Sequence, residues 1–435
     1  MIITTYSEAE TYLYNSRPPF HQVGASAYKP GLETTLRLMA HVGNPHEQLR
    51  AIHVAGTNGK GSTSHLIAAA LQASGLKVGL FTSPHLVSLT ERIRINGKPI
   101  EEAAVARFVE QNREFLDKIQ PSFFETMTAL AFAYFVQEGV DIAVVETGLG
   151  GRLDSTNVLT PVLSVITNIG LDHTEFLGDT LTKIAREKAG IIKPNVPCVI
   201  GETHPQTMNV FLERAKECGI LGDGPETTDC RIWFADQCGY LRRCRLREAP
   251  ECELKGLCQE QNQQTAYVAL RAISNLGFQI SNSAIREGFA YVCRLTGLRG
   301  RWEVLQEQPL TICDTGHNSH GLQYVARQLK ELTNPNIWIV FGQVNDKDTE
   351  VALRLMPQGE KYHYIFTRPK TERARSAEGM LQLWQSVVSR QTSAVAIEDP
   401  EEAIRYAQQQ ASADDAVFIG GSNYLVGNAI SLYSH

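Results

Sequence analysis

The predicted fold rests on the stretch Ile52-His-Val-Ala-Gly-Thr-Asn-Gly-Lys-Gly-Ser-Thr63. Its β-branched start reads as a buried strand, which leads through a glycine-rich turn and Lys60 into hydroxyl residues that open a helix. Such a turn lets backbone N–H groups face an anion, and the lysine and the helix N-terminus add positive charge. The strict GxxxxGK[ST] pattern is not met, because Gly61 stands between Lys60 and Ser62. The context still favours a nucleotide site over a tight turn with one solvated lysine, and it predicts Ser62 or Thr63 near the Mg²⁺ of the nucleotide.

Short apolar runs alternate with helical stretches on both sides of this loop. They predict strands over residues 51–55, 77–82, 140–146, 161–167 and 196–200, and helices over residues 62–74 and 180–190. This alternation is typical of a parallel sheet that is covered by helices on both faces. Residues 201–260 lose the pattern, and we expect a β-rich insertion there.

The alternation resumes after residue 300. Strands are predicted over residues 310–313, 337–341, 362–366, 395–397 and 416–419, and helices over residues 322–332 and 401–411. The glycine-punctuated segment 295–300 marks the junction between the two halves. The sequence therefore predicts an α/β fold with a P-loop parallel-sheet domain that binds a nucleotide over residues 1–297. A smaller, Rossmann-like α/β domain is predicted over residues 298–435.

The composition excludes several classes of protein. Of the 435 residues, 43% are apolar and 20% are charged, which is typical of a globular chain rather than a disordered or fibrous one. A net charge of −6 disfavours a nucleic-acid partner. Nine cysteines without CxxC spacing favour free thiols over a zinc site or disulfides. The sequence shows no secretory signal and no apolar stretch of the ~20 residues that a membrane span needs. We expect a soluble, cytoplasmic monomer with no membrane partner.

Polar residues follow several of the predicted strands of the first half. Glu146 ends one strand, Asp172-His173 follows another, and Ser83 comes directly after a third. Ligands of open parallel sheets bind at the carboxyl ends of strands, so these side chains are candidates for a metal or substrate site. Each of them could equally be a solvated loop residue. Lys188 lies at a predicted helix end, where a solvated cation is the commoner interpretation.

Nine blocks of the chain belong together. They are HVAGTNGKGST (53–63), FTSPHLVSLTERIRING (81–97), ETGLGGRLDSTNV (146–158), TNIGLDHTEFLG (167–178), EKAGIIK (187–193), GRWE (300–303), DTGHN (314–318), NDKD (345–348) and GSNYLVG (421–427). In this order they resemble the folylpolyglutamate synthases, often bifunctional with dihydrofolate synthase, of the Mur ligase superfamily. Each block alone is a weak signal, whereas nine in the family's order are very specific.

The resemblance implies an ATP-dependent acid–amino-acid ligase. ATP phosphorylates a carboxylate to an acyl phosphate, and the amine of L-glutamate then attacks it, which releases ADP and phosphate. The substrates implied are tetrahydrofolate and dihydropteroate; a folylpolyglutamate synthase without dihydrofolate synthase activity remains an alternative. The first domain would hold ATP and the substrate pocket, and the second would be the glutamate-ligase domain.

The resemblance also assigns roles to single positions. ATP contacts fall on Gly56, Thr57, Asn58, Gly59, Lys60, Gly61, Ser62, Asn262, Arg301, Asp314 and His317. Mg²⁺ ligands, for two ions, fall on Ser83, Glu146, His173 and on Lys188 as a lysine carbamylated by CO₂. Pterin contacts fall on Ser122, Phe123, Phe124, Glu125, Arg152, Leu153, Asp154 and Ser155, near residues 27–32. Of these, Lys60, His173 and Lys188 would be catalytic.

Two rival functions remain to be weighed. A cell-wall Mur ligase carries a UDP-binding domain before the phosphate loop, and here the loop begins near residue 55, which leaves no room for that domain. A regulatory nucleotide-binding switch would need no pocket for a pterin and glutamate. We expect neither.

Overall fold

The computed structural model describes residues 3–18, 31–221, 231–238, 251–345, 349–388 and 392–433. It divides into two compact units. The first consists of Met1–His85, Leu89–Glu253 and Gln259–Leu298, and the second of Leu86–Ser88, Leu254–Cys258 and Arg299–His435. Two short segments that lie within the sequence of the first unit therefore belong to the second. The functional roles predicted for residues 1–297 and 298–435 stay predictions.

The first unit contains one mixed sheet and the helices that pack on it. Its strands are β1 (Ala51–Ala55), β2 (Val78–Phe81), β3 (Ile93–Ile95), β4 (Lys98–Pro99), β5 (Ile142–Glu146), β6 (Leu163–Ile166), β7 (Cys198–Ile200) and β8 (Ile232–Phe234). Its helices are α1 (Tyr6–Ser16), α2 (Glu33–His41), α3 (Pro45–Gln48), α4 (Lys60–Ala73), α5 (Glu102–Ile119), α6 (Phe123–Gln137), α7 (Thr174–Leu177), α8 (Leu181–Ala189), α9 (Met208–Glu217), α10 (Gln259–Ser274), α11 (Asn282–Ala290) and α12 (Val292–Thr296).

The strand order of this sheet is β4-β3-β2-β5-β1-β6-β7-β8. The six neighbouring strands β2, β5, β1, β6, β7 and β8 pair in parallel, whereas the β2–β3 and β3–β4 pairs at one edge are antiparallel. Strand β1 is central, with β5 on one side and β6 on the other, and all five of its residues are buried. Because chain order reverses at β1, the carboxyl end of β1 is where a parallel α/β sheet binds its ligand.

The side chains of these strands alternate between two apolar layers. Ala143 and Val145 of β5 pack into a cluster with α5 and α6, which includes Phe108 and Phe132. By strand alternation Glu146 lies on the opposite face, where α4 packs against β2 and β5. The prediction of a sheet covered on both faces is confirmed.

The prediction of a β-rich insertion over residues 201–260 is wrong for the part of it that the structure describes. Residues 208–217 form helix α9, whose Phe211 and Ala215 are buried beside Ile200 of β7. Strand β8 then pairs parallel with β7, and so extends the same α/β sheet. The amphipathic spacing of α9 was obscured in the sequence by the turn residues and mixed charge around it. Residues 222–230 and 239–250 lie outside the described part.

The second unit is a smaller α/β domain. Its strands are β9 (Glu303–Gln306), β10 (Leu310–Asp314), β11 (Ile337–Phe341), β12 (Tyr362–Phe366), β13 (Ser393–Ala396) and β14 (Ala416–Gly420). Its helices are α13 (Ser319–Glu331), α14 (Thr349–Leu355), α15 (Ala377–Val387), α16 (Pro400–Gln410) and α17 (Asn423–Tyr433). The strand order is β13-β12-β11-β14-β10-β9, in which only β9 is antiparallel to its neighbour. The predicted Rossmann-like architecture is confirmed.

One short segment from outside the main run of the second unit is joined to it through Gln328 of α13. The side-chain oxygen of Gln328 accepts from the backbone N–H of Leu257 at 2.9 Å, and its Nε2 donates to the carbonyl of Lys255 at 3.1 Å. Both polar atoms of this amide are therefore satisfied by residues 254–258.

Within the residues that the structure describes, no helix combines the length and apolarity required to cross a membrane. The cysteines described are free thiols.

The apolar core of the second unit depends on Trp384 of α15. Its side chain is 2% exposed, and its ring centroid lies 4.1 Å from that of Tyr364 and 5.6 Å from that of Phe366. We expect Trp384→Ala to lower the free energy of unfolding by about 3–5 kcal/mol, because it removes these contacts and leaves a cavity. Denaturant unfolding measures the loss. Gln385→Ala, on the exposed face of the same helix, is the control, and equal unfolding curves for the two variants would contradict this packing.

Candidate active site

The phosphate loop connects the central strand β1 to helix α4. The helix begins at Lys60, two residues earlier than predicted, and Gly59 caps it in the left-handed region with φ 77°. A side chain at Gly59 would place its Cβ 2.1 Å from Oδ1 of Asn262, and one at Gly56 would lie 1.8 Å from Oγ1 of Thr167. Only glycine fits at either position. Asn262, assigned to ATP by the resemblance, thus lies directly against the loop.

The segment that follows β6 holds the loop in place. Backbone N–H groups of Thr57 and Asn58 donate to the carbonyl and to the side-chain oxygen of Asn168, each at 2.9 Å. Thr167 Oγ1 donates to the carbonyl of Asn58 at 2.6 Å, and Thr57 Oγ1 donates to that of Gly170 at 3.1 Å. These hydrogen bonds from the protein fix the conformation of the loop.

Two lysines converge on the carbonyl oxygen of Gly56. Lys60 Nζ donates to it at 3.1 Å and Lys188 Nζ at 2.7 Å; Lys60 also donates to the carbonyl of Thr57 at 3.3 Å. Lys188 is buried, and burial together with the nearby charge of Lys60 lowers its pKa to about 7, against the opposing effect of Asp172 and Asp154. At neutral pH a large share of Lys188 is thus an uncharged amine.

The acidic residue at the end of β5 is buried beside the end of β2. Glu146 is 3% exposed, and its Oε2 accepts from the backbone N–H of Ser83 at 3.0 Å. Strands β2 and β5 are parallel neighbours, so their carboxyl ends bring these two residues together as expected. A carboxylate oxygen is the ligand type that Mg²⁺ prefers.

His173 lies after β6, in the left-handed region with φ 49°, at the start of helix α7. Its backbone N–H donates to Oδ1 of Asp172 at 3.0 Å. Over the described ranges no group of three or more His, Cys, Asp or Glu side chains is placed to hold a metal ion. The metal ligands assigned by the resemblance are not such a group, because they include a serine and a modified lysine. Its ligand role stays a prediction.

Ser122 and Glu125, two of the residues assigned to the pterin, form the cap of helix α6. Ser122 Oγ accepts from the Glu125 N–H at 3.2 Å, and the Glu125 carboxylate accepts from the Ser122 N–H at 2.6 Å. The same carboxylate accepts from Thr35 Oγ1 at 3.0 Å. Phe123 is buried and Phe124 packs against Phe81, with ring centroids 5.7 Å apart. The S-x-x-E pattern at residues 122–125 is itself the sequence signal of this capping box.

The other pterin candidates lie between β5 and β6. Arg152 pairs with Glu187 at 2.9 Å on the surface, and Leu153 and Ser155 are partly buried. Asp154 is buried and accepts from the backbone N–H groups of Leu149 and Thr156. In the stretch 27–32, near which the pterin contacts were predicted, residues 27–30 lie outside the described residues.

A separate polar group lies at the carboxyl ends of strands in the second unit. Asp314 accepts from the backbone N–H groups of Gly316 at 2.7 Å and Trp302 at 2.8 Å. Burial raises the pKa of Asp314, and the charge of Arg301 and these two hydrogen bonds oppose that shift. His317 Nδ1 lies 2.9 Å from the carbonyl of Thr315. The structure thus places Arg301, Asp314 and His317 in one region of this unit.

Sequence reasoning missed two residues that hold these loops. Asn168 is a polar residue just after β6, and its position at a strand end is the signal by which the sequence could have identified it. Gln343, which follows β11, is fully buried and donates to the carbonyl of His317 at 3.1 Å. In the neighbouring block 345–348, residues 346–348 lie outside the described part.

Comparison with known proteins gives consistent matches to both units. Residues 54–217 match the Mur ligase middle domain, and residues 300–423 match the glutamate ligase domain of Mur ligases. The chain is 34% identical to the dihydrofolate synthase/folylpolyglutamate synthase of Bacillus subtilis, over 98% of each chain.

Two solved structures are similar along their whole length. E. coli FolC in complex with DHPP and ADP has a TM-score of 0.79 and 27% identity, over 99% of this chain and 98% of that chain. A bifunctional folylpolyglutamate synthase/dihydrofolate synthase with Mn, AMPPNP and L-glutamate bound has a TM-score of 0.81 and 29% identity, with the same coverage. The predicted resemblance and fold class are confirmed.

The lowered pKa of Lys188 gives the folded state a measurable pH dependence. The folded amine titrates near pH 7 and the unfolded one near 10.5, so the unfolded chain binds more protons between these values. Stability of the wild type should therefore rise with pH across this window. We expect Lys188→Met to stabilise the protein by on the order of a few kcal/mol at neutral pH, with the gain shrinking as the pH rises.

Denaturant unfolding in CO₂-free buffer at about pH 6.5 and about pH 9.5 measures the difference. Lys183→Met, which removes an exposed lysine paired with Asp179, is the matched control and should change little at either pH. A Lys188→Met variant that is less stable than the wild type at both pH values would show that the buried amine carries no such cost.

Proposed function

The chain belongs to the dihydrofolate synthase/folylpolyglutamate synthase family and is an ATP-dependent ligase, and from this we propose that it joins L-glutamate to a folate and to dihydropteroate. The observation that carries the proposal is the match over 98% of both chains to a relative with both activities in its name. The ligands named in the two solved structures, which include DHPP, ADP and L-glutamate, support the same assignment.

The nucleotide end of the reaction is assigned to the phosphate loop. A substrate carboxylate that attacks the γ-phosphate of ATP meets strong repulsion between negative charges. Lys60 and the N-terminus of α4 offer fixed positive charge at that point, and the loop needs no rearrangement because Asn168 already holds it. Asn262 lies against Gly59 and is positioned to contact the nucleotide. Arg301, Asp314 and His317 are proposed as further ATP contacts from the second unit.

The residues at the ends of β2, β5 and β6 suit a divalent cation. Glu146 supplies a buried carboxylate, Ser83 adjoins it, and His173 supplies an imidazole. When bound, Mg²⁺ supplies charge that offsets the repulsion between the substrate carboxylate and the phosphates. The Mn and AMPPNP of one solved relative support a metal–nucleotide pair.

Lys188 is proposed to carry a carbamate formed with CO₂. Carbamylation requires an uncharged amine, and burial beside Lys60 lowers the pKa of this amine to about 7. The product is an anionic oxygen ligand where a cation stood, which relieves the repulsion from Lys60 and suits a metal site. The contact with the Gly56 carbonyl places this nitrogen against the phosphate loop.

The acceptor substrate is assigned to the residues of α6 and the 152–155 loop. After acyl phosphate formation, the amine of L-glutamate attacks the carbonyl carbon, the tetrahedral intermediate collapses to an amide, and phosphate leaves. All the substrates in this proposal are small molecules. We also propose that the protein is a monomer.

Glutamate incorporation into dihydropteroate and into tetrahydrofolate, measured side by side with ADP release, tests the proposal. We expect ATP-dependent incorporation into both acceptors. Incorporation into tetrahydrofolate alone would leave the alternative of a folylpolyglutamate synthase only. ATP hydrolysis that is independent of both acceptors would favour a nucleotide switch instead.

Glu146→Gln should raise the Mg²⁺ concentration needed for half-maximal activity, because it keeps the shape of the side chain and removes the charge that a hard cation requires. The measurement is a Mg²⁺ titration of ligase activity at saturating ATP. Glu138→Gln, a half-exposed partner of Lys77 at the end of α6, serves as the control and should titrate like the wild type. An unchanged titration for Glu146→Gln would remove Glu146 from the ligand set.

Lys188→Ala should lose ligase activity and regain part of it with acetate, which replaces the missing oxygen ligand. Lys188→Arg should stay inactive, because a guanidinium carries no carbamate and keeps the positive charge. In ¹³C NMR with labelled bicarbonate, the wild type should show a carbamate signal that both variants lack. Wild-type activity in Lys188→Arg would mean that the residue acts as an ordinary cation.

A further inference from the structure

A buried histidine on the central strand starts a hydrogen-bonded chain that ends on Asp154. His53 of β1 is fully buried, and its Nε2 lies 2.7 Å from Oγ1 of Thr156. Thr156 Oγ1 in turn donates to Oδ1 of Asp154, and the Thr156 backbone N–H donates to the same oxygen at 3.0 Å. The chain thus links the sheet to the segment between β5 and β6.

The direction of this chain is determined by its members. Burial raises the pKa of Asp154, and the hydrogen bonds from Thr156 and from the backbone N–H group of Leu149 oppose that shift by favouring the carboxylate. The single hydrogen of the Thr156 hydroxyl goes to this carboxylate, so the Thr156 oxygen accepts from His53. His53 therefore carries its proton on Nε2. Its Nδ1 has no hydrogen-bond partner among the described residues. A buried N–H group without an acceptor would cost free energy, so the absence of a partner is consistent with an unprotonated Nδ1.

His53 keeps this one state across the working pH range. Burial lowers the pKa of its imidazole to about 3, and the charge of Lys193 acts in the same direction. The ring is neutral, so it donates one hydrogen bond to Thr156 and adds no charge to the site.

The far end of the chain fixes the shape of a loop. The second oxygen of Asp154 accepts from the backbone N–H of Leu149 at 2.8 Å, so one carboxylate ties residues 149 and 156 together. Asn157 adds a tie from its Nδ2 to the carbonyl of Arg152 at 3.0 Å. The residues assigned to the pterin, 152–155, lie within this tied loop.

We propose that His53 is a positioning residue for the acceptor substrate: it holds Thr156, and through Thr156 the Asp154 carboxylate and the 152–155 loop, in the geometry that binds the pterin. The proposal rests on the proposed function, since it specifies how that site is held. His53 itself touches no substrate in this scheme. Its effect should therefore fall on the pterin acceptor and leave ATP unaffected.

The test compares variants that keep or remove the donated hydrogen bond. His53→Gln retains an N–H donor at a similar reach, and Thr156→Ser retains the hydroxyl; His53→Met and Thr156→Val remove their members of the chain. We expect the last two to raise KM for dihydropteroate by about tenfold or more, with KM for ATP unchanged, because a displaced loop binds the acceptor poorly. The two retaining variants should behave like the wild type. The double variant should equal either single one, because both break the same chain.

Ile52→Ala is the matched control for destabilisation of the strand, because Ile52 is fully buried on β1 next to His53. It should lower thermal stability without altering KM for dihydropteroate selectively. Equal rises in KM for dihydropteroate and ATP in His53→Met, or the same pattern in Ile52→Ala, would overturn the proposal. If His53→Met does not fold, the Thr156→Val and Thr156→Ser pair decides it.

Hydrogen exchange without substrate separates this proposal from the proposed function. The amides of Leu149 and Thr156 should exchange faster in His53→Met and Thr156→Val than in the wild type and Ile52→Ala. Unchanged exchange would overturn the positioning role whatever the enzyme acts on. Faster exchange in a protein that glutamylates neither acceptor would overturn the proposed function and leave the loop-holding chain established.

Discussion

The parallel pairing of β5, β1 and β6 is the constraint on which the first unit depends. It brings three carboxyl ends to the same edge, so Glu146, the phosphate loop and Asn168 become neighbours although more than a hundred residues separate the loop from Asn168. Hydrogen bonds from these neighbouring residues then hold the shape of the loop. Its polar backbone groups are partly satisfied by Asn168 and Thr167, and its carbonyl at Gly56 receives two lysines. These two contacts place Lys60 beside Lys188, and burial together with the charge of Lys60 lowers the pKa of the Lys188 amine.

Most of the fold was predictable because buried parallel strands have a strong local signature. The sequence located β1, β11 and β12 to the residue, since each is a continuous apolar run bounded by turn residues. Helix α9 was missed because its surroundings are rich in cysteines, charges and turns, which masked a short amphipathic pattern. The local sequence shows where a strand ends, but it does not show which other strand lies beside it in the sheet. For that reason the sequence shows that Asn168 is a polar residue at a strand end, but it does not show that Asn168 accepts hydrogen bonds from the phosphate loop.

Some residues of the candidate site could be identified from the local sequence, whereas others required the tertiary structure. Lys60 and Glu146 could be singled out from their local context alone. The physical reading of Lys188 as a solvated cation at a helix end is wrong, because its side chain is buried against the loop; only tertiary packing reveals this. Ser122 and Glu125 show the converse, since a role taken from resemblance hid a local cap that the sequence displayed. Their roles toward substrate stay predictions.

The second unit is not one continuous stretch of chain. It takes in 86–88 and 254–258 in addition to its main run from Arg299, and Leu86 packs into its apolar cluster while Gln328 is satisfied by residues 255 and 257. A fragment that begins at residue 299 would expose the apolar surface against which Leu86 packs and would leave the Gln328 amide without these two partners. The unit is therefore not a module that recombination can exchange as a single cassette.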